Sequence, residues 1–318
     1  MATGRVKGKV AIVGAGAVGA TTAFALMNSG TVSEIALIDI DREKAEGEAM
    51  DLSHGGGFVK PVDVYVGDWE DCWDADVVVI TAGASQKPGE TRLELLERNV
   101  DIFKDMVPKI TKRIDPETVL LVVTNPVDVL SYVTWKVSDL PYQRVIGSGT
   151  TLDTARFKQV LGDHCDVATK NVHAYVIGEH GDSEVPLWST AHLAGIPFDE
   201  YCELTATDHD QETKDEIAET VRGAAYEIID KKGATYYAIG MATTDIIEGL
   251  IRDEDTIMTV STLMQGQYGL EDLYISLPCV VNRKGIRNVL ELDLSADERE
   301  QLLNSADVLQ EKIDSVGI

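Results

Sequence analysis

Positive charge is what this chain has least of: 28 Lys and Arg stand against 54 Asp and Glu in 318 residues, a formal net charge of −26. Such a surface repels phosphate backbones and anionic headgroups, so neither nucleic acid nor a membrane is expected as a partner. It also repels small anions at long range, so a site for an anionic substrate must carry its own arginines. Plain solubility explains the acidity, and so does a salt-rich cytoplasm. Cysteine is sparse too. Cys72, Cys165, Cys202 and Cys279 form no CxxC pair, which fits reduced thiols in the cytoplasm and not a disulfide framework. No apolar run reaches the ~18 residues that a membrane helix needs. Arg5, Lys7 and Lys9 do precede an apolar stretch ending at Ala23-Phe24-Ala25, the outline of a secretory signal. Three glycines interrupt that stretch, however, and cleavage would delete a complete strand-turn-helix, so a cytoplasmic location is expected.

What is present is enough apolar residue, 44%, for a globular chain with a large core. The first half alternates short apolar runs with helical periodicity. Strands are predicted over 9–13, 34–38, 62–66, 76–80, 119–123 and 144–146. Helices are predicted over 18–28, 42–52, 91–113 and 127–137. Near-continuous apolar strands such as Val77-Val78-Val79-Ile80 belong where helices cover both sheet faces. Six of them alternating with helices predict an α/β fold with a doubly wound parallel sheet, the Rossmann arrangement. The pattern changes after Gly147. A helix over 152–161, a strand over 172–176, helices over 211–231 and 235–251, antiparallel strands over 256–263 and 273–281 and a last helix over 296–316 predict an α+β catalytic domain. The expected division is therefore 1–147 and 148–318, with the active site between the halves.

Gly14-Ala15-Gly16-Ala17-Val18-Gly19 follows the first strand and opens the first helix, the context a dinucleotide fingerprint requires. Gly14 permits the tight turn, Gly16 the close approach of a pyrophosphate, and Gly19 the packing of helix on sheet. The helix N-terminus at Ala17 and Val18 then faces the negative pyrophosphate. Asp39, twenty residues after Gly19, suits the ribose hydroxyls of NAD and repels the 2′-phosphate of NADP. Asp41 lies beyond the strand and is expected to cap the next helix. A ligand-free turn, a flavin site and a methyl-donor site are the alternatives.

Hydride chemistry on a ketone needs a proton donor at the carbonyl oxygen. His180, in Gly178-Glu179-His180-Gly181-Asp182-Ser183, can supply it near neutral pH. Asp153 can fix the imidazole tautomer, and Arg156, three residues later on the same predicted helix, can grip a carboxylate with its planar fork. A solvated histidine and a surface Asp–Arg pair are the plainer readings of the same residues.

Taken together, the glycine loop, Thr124-Asn125-Pro126, Leu152-Asp153-Thr154-Ala155-Arg156 and Gly178-Glu179-His180-Gly181-Asp182 resemble the lactate/malate dehydrogenase family over nearly the whole chain. The resemblance implies that His180 is the acid/base, Asp153 its partner and Arg156 the carboxylate anchor. It also implies that Asn125 binds near substrate and nicotinamide, and that Thr235 lines the pocket. The segment 84–92 resembles the family's mobile substrate loop, whose closure brings Arg92 beside the reacting carbonyl. Arg98, nearly two turns into the helix, should point away from the loop tip.

Malate dehydrogenases of this family typically carry arginine where this chain has Gln86. Without it the second carboxylate of oxaloacetate lacks a counter-ion, a loss on the order of 3–5 kcal/mol. Pyruvate and L-lactate are the expected substrate pair, with malate, another 2-hydroxy acid, or a catalytically silent NAD-binding protein as alternatives. The resemblance further implies a homotetramer, with a dimer as the alternative, and helices 42–52 and 211–231 are candidate interface faces. Lys158 and His173 occupy the positions that bind fructose 1,6-bisphosphate in responsive bacterial relatives, with lysine replacing the usual arginine. No metal is expected: the histidines and acids around His180 lack HExxH spacing. His54 is expected at a helix end, His164 and His192 have no clear partner, Asp208-His209-Asp210 reads as a solvated loop, and Tyr236-Tyr237 as helix packing.

Overall fold

The computed structural model describes residues 8–84, 89 and 91–317. In the first half, strands β1 (Lys9–Val13), β2 (Glu34–Ile38), β3 (Asp63–Val66), β4 (Val77–Ile80), β5 (Val119–Val122) and β6 (Val145–Gly147) alternate with helices α1 (Ala17–Ser29), α2 (Arg42–His54), α3 (Arg92–Thr111) and α4 (Val127–Ser138). β1, β4 and β5 are buried at every position, as strands covered on both faces must be. The six strands pair in parallel in the order β3-β2-β1-β4-β5-β6. The winding reverses between β1 and β4, and the strand C-termini on either side of that point open a ligand crevice.

The second half begins with α5 (Thr151–His164). Short strands β7 (Val172–His173), β8 (Val176–Ile177), β9 (Val185–Pro186), β10 (His192–Leu193) and β11 (Ile196–Pro197) follow, then α6 (Phe198–Thr205), α7 (Gln211–Lys232) and α8 (Tyr237–Arg252). Long strands β12 (Thr256–Gln265) and β13 (Glu271–Asn282), the edge strand β14 (Gly285–Val289) and α9 (Ala296–Ser315) complete the chain. The long strands do not build a separate sheet. β12 pairs antiparallel with β6 where Ser261 faces Gly147, so β12, β13 and β14 extend the Rossmann sheet to nine strands. Gly147 is required at this joint, because a Cβ there would lie 2.4 Å from Ser131 Oγ and 2.8 Å from the Ser261 Cβ.

The core forms on both sheet faces. Phe103, Ile110, Leu130 and Leu309 bring α3, α4 and α9 onto one face, and Leu26, Ala49, Ile246 and Leu250 bring α1, α2 and α8 onto the other. Phe157, Phe198, Cys202 and Val221 join α5, α6 and α7 in a smaller cluster of their own. The four cysteines are free and buried. No helix of the described residues is long and apolar enough to cross a membrane.

Three local expectations are corrected. The strand predicted over 172–176 is two strands, because the chain leaves β10 as partner at His173 and takes up β9 at Val176. The helix predicted from Thr235 starts at Tyr237, since Gly233 ends α7 at φ +85° and Tyr236 is non-helical at φ −154°. Tyr236 and Tyr237 do not pack in the core: Tyr237 is 66% exposed, and both rings lie against the Lys232 ammonium.

Candidate active site

The cofactor side is made of backbone. At Gly14, φ is +109°, and a Cβ would sit 2.6 Å from the Ala82 amide nitrogen. At Gly19 a Cβ would sit 1.9 Å from the Gly14 carbonyl oxygen, so the helix reaches the strand only without a side chain. Gly16 is different: a Cβ there would meet nothing within 4 Å. It caps α1 at the crevice with no side chain of its own, leaving the first amides of the helix open to an anion. Asp39 follows the end of β2, and its Oδ2 accepts the Ala15 amide at 2.7 Å while Oδ1 accepts the Asp41 amide at 2.9 Å. The carboxylate is half-buried and retains lone pairs for further donors. Open space at Gly16, free amides at Ala17 and Val18 and a fixed acid at Asp39 fit a dinucleotide. Asp41 caps α2 by accepting the Lys44 amide, as expected.

The opposite wall is made of buried charge. Asp153 lies in the first turn of α5, where the helix dipole favours an anion, with its side chain 2% exposed. Its Oδ2 is 2.5 Å from His180 Nδ1, and its Oδ1 accepts from Arg156 Nη1 at 2.8 Å. One carboxylate therefore serves both cations, and His180 Nε2 is the nitrogen left for a ligand. Burial alone would lower the imidazole, but the Asp153 charge and hydrogen bond outweigh it and lift His180 to about 9. Burial would likewise raise Asp153, but His180 and Arg156 hold it below the usual carboxylate range.

Arg92 is the first residue of α3, which Thr91 and Glu94 start with a reciprocal capping box. Its side chain is 80% exposed and lies 3.6 Å from Asp182 Oδ2, while the Tyr226 hydroxyl donates to Asp182 Oδ1 at 2.6 Å. Tyr226, then Asp182, raise the guanidinium further above its ordinary value. Asn125, exposed in the turn between β5 and α4, accepts the Val127 amide through its Oδ1 at 3.3 Å.

Comparison with known proteins identifies the lineage. Residues 8–147 match the lactate/malate dehydrogenase NAD binding domain, and residues 150–317 match the lactate/malate dehydrogenase alpha/beta C-terminal domain. The chain belongs to the lactate/malate dehydrogenase family. It is 50% identical over 308 residues to L-lactate dehydrogenase 1 of Clostridium acetobutylicum, covering 97% of this chain and 98% of that one. It is 52% identical over 310 residues to the L-lactate dehydrogenase of Acetivibrio thermocellus, covering 98% of each. The crystal structure of the minor L-lactate dehydrogenase of Enterococcus mundtii superimposes with a TM-score of 0.95 at 41% identity, over 99% of this chain and 100% of that one. A lactate dehydrogenase from a Medee basin deep-sea metagenome library gives 0.94 at 46% identity, over 98% and 99%. The protein is an oxidoreductase of this family, and NAD is its cofactor.

Within this family member, His180, Asp153 and Arg156 are brought into one cluster, and the glycine loop and Asp39 into another. Arg92 stands apart at Asp182, and Thr235 lies half-buried in the loop between α7 and α8. Gln86 lies outside the described residues. Lys158 is half-buried on α5, its ammonium 5.9 Å over the Tyr175 ring, and β7 with exposed His173 packs on the same helix. Burial lowers Lys158 against the opposing charge of Asp245. His164 and His192 have backbone partners, the Asp208 and Thr190 carbonyls at 2.7 and 2.8 Å, and Asp210 caps α7. Among the described residues no group of three or more His, Cys, Asp or Glu is arranged to hold a metal.

Two functional neighbours escaped the sequence reading. Asp128, 2% exposed on α4, accepts the His180 amide at 2.8 Å and the Ser261 hydroxyl at 2.6 Å, fixing the histidine's backbone to the long-strand sheet. Burial pushes it up to about 6, against those two hydrogen bonds. Nothing near it in the chain marks it. Glu184, 5% exposed and four residues after His180, had one signal: an acid set against the apolar run Val185-Pro186-Leu187-Trp188.

Proposed function

We propose that this family member is an NAD-dependent L-lactate dehydrogenase that interconverts pyruvate and L-lactate with His180 as acid/base. The observation that carries the reading is the shared carboxylate, Asp153, holding an imidazole at 2.5 Å and a guanidinium at 2.8 Å. The guanidinium of Arg156 takes the substrate carboxylate, whose planar geometry matches its fork. That fixes the ketone within reach of His180 Nε2. Bound NADH supplies the hydride. As the ketone carbon accepts it, Nε2 gives its proton to the developing alkoxide, and Asp153 stabilises the imidazolium before transfer and the correct tautomer after it. Arg92, exchanging Asp182 for the ketone oxygen, stabilises the same negative charge. In lactate oxidation neutral His180 removes the hydroxyl proton. With His180 raised to about 9, the donor form prevails at neutral pH. Pyruvate reduction should therefore hold steady from about pH 6 to 7 and have fallen by about pH 9, as His180 loses the proton it donates.

The roles of Asn125 beside substrate and nicotinamide, Thr235 at the pocket wall and Gln86 in selecting a monocarboxylate belong to this reading. Its test is NADH oxidation with pyruvate and with oxaloacetate, each with and without fructose 1,6-bisphosphate. Pyruvate should be preferred by about two to three decades, the equivalent of one unpaired buried carboxylate. Gln86→Arg should move the preference toward oxaloacetate, and an unchanged ratio removes Gln86 as the selector. Preference of the unaltered protein for oxaloacetate overturns the lactate reading itself. A bisphosphate response lost in Lys158→Ala and His173→Ala supports the effector site, which we place at those residues. A homotetramer is the assembly that accompanies this function. Exposed Phe24, Met50 and Phe58 on and beside α1 and α2 give it an apolar face, and Tyr226 and Ile229 on α7 a second.

A further inference from the structure

Two buried acids flank His180, and their surroundings are opposite. Glu179 is paired: Lys312 of α9 binds its Oε1, and Ser183 donates to its Oε2. Glu184 is equally buried, at 5% exposure, yet its Oε1 has no hydrogen-bond partner. The charged groups facing Glu184 are Asp153 and Arg156 from α5, His180 from its own loop and Arg222 from α7. Each cation among them is engaged elsewhere. Arg156 and His180 are both bonded to Asp153. Arg222 turns its Nη1 outward to Glu219 at 3.1 Å and leaves its Nε buried without an acceptor. On the α9 side, Lys312 is spent on Glu179. A buried carboxylate with one oxygen left without a donor is costlier as an anion than as a neutral acid.

We propose that Glu184 is a positioning residue for the substrate anion: uncharged, it leaves Arg156 and His180 to the substrate, and once ionised it competes with the substrate for both. This rests on the lactate dehydrogenase reading above. Burial first, then the charge of Asp153, push Glu184 up to about 8 despite His180, Arg222 and Arg156, so the neutral form prevails at neutral pH. Ionisation adds a negative charge behind the guanidinium that must hold a carboxylate. The arrangement gives an acidic chain a means of keeping one local site receptive to an anion without adding another arginine.

The test titrates the NADH-loaded enzyme with oxamate, an anionic amide of pyruvate's shape, from pH 6.5 to 9, following NADH fluorescence. Glu184→Gln, a permanently neutral isostere, should match the unaltered protein within about twofold at pH 6.5 and bind about tenfold more tightly than it at pH 9, the ratio set by the uncharged fraction of Glu184. Both proteins also lose binding as His180 deprotonates, and the variant does so at somewhat lower pH because it lacks the Glu184 charge that raises the imidazole. Superimposed curves overturn the proposal, and so does a variant weakened by one factor at every pH, which marks a packing role alone. Calorimetry on the unaltered protein in two buffers at pH 8.5 gives a second reading: oxamate binding should take up about one proton, whereas about a quarter of a proton, the share of His180 alone, overturns the role of Glu184. Absence of oxamate binding by the unaltered protein at pH 6.5 overturns the lactate dehydrogenase reading and this proposal with it.

Discussion

The two walls of the crevice recognise their ligands by opposite means. The cofactor wall works by omission: Gly14 and Gly19 let helix and strand close together, Gly16 leaves open space before the first helix amides, and one carboxylate closes the site, all within residues 14–39. The substrate wall works by concentration, with Asp128, Asp153, Arg156, His180 and Glu184 drawn from α4, α5 and the loop between β8 and β9. Steric fit is local in the chain and tolerates an acidic surface. Electrostatic fit has to be assembled from afar, because long-range attraction is unavailable to a protein with a net charge of −26.

That contrast can be broken most severely at the proton donor. His180→Asn should lower kcat by about 10³–10⁴-fold with NADH affinity unchanged, and near-normal turnover removes the imidazole from the reaction. Next comes the anchor: Arg156→Lys keeps the charge and loses the fork, so KM for pyruvate should rise by about 100-fold, the equivalent of about 3 kcal/mol. A merely threefold rise means that charge alone suffices there. The cofactor wall is probed by a pair of equal substitutions. Gly16→Ala should leave Tm unchanged and weaken NADH by about tenfold, whereas Gly19→Ala should destabilise the fold by about 2 kcal/mol or more through collision with the Gly14 carbonyl. Equal effects on Tm erase the distinction between a gap kept for the ligand and one kept for the helix. The smallest effect is ionic. Lowering salt to about 0.01 M lengthens the screening distance to about 30 Å, so surface acids repel and Tm should fall by a few degrees, with Gly16→Ala and the unaltered protein shifting alike.

What was legible in the sequence follows the same division. The glycine loop, Asp39, the Asp41 cap and the continuous apolar strands are statements about neighbours in the chain, and each is found where expected. The Asp153–Arg156 pair was readable for the same reason, since three residues of helix bring the two side chains together. Asp128 was not readable, because its partners His180 and Ser261 lie 52 and 133 residues away. Nor was the joining of the long strands to the parallel sheet, which depends on Gly147 meeting Ser261. β14 escaped because edge residues Arg287 and Asn288 face solvent and spoil the alternation. Arg92 shows the limit from another side: its place at the head of α3 was evident, but its pairing with Asp182 required α7 and the histidine loop to converge.

The joint at Gly147 also bears on how such a chain can be cut and recombined. A fragment ending there would bare the edge of β6 and the apolar faces beneath α4, a template for pairing with any passing strand. The nucleotide-binding half thus shares its sheet with the strands that follow it. Chimeras between relatives exchanged at this point inherit a foreign β12 against their own β6, and their yield of soluble protein should track how well the residue opposite Gly147 stays small.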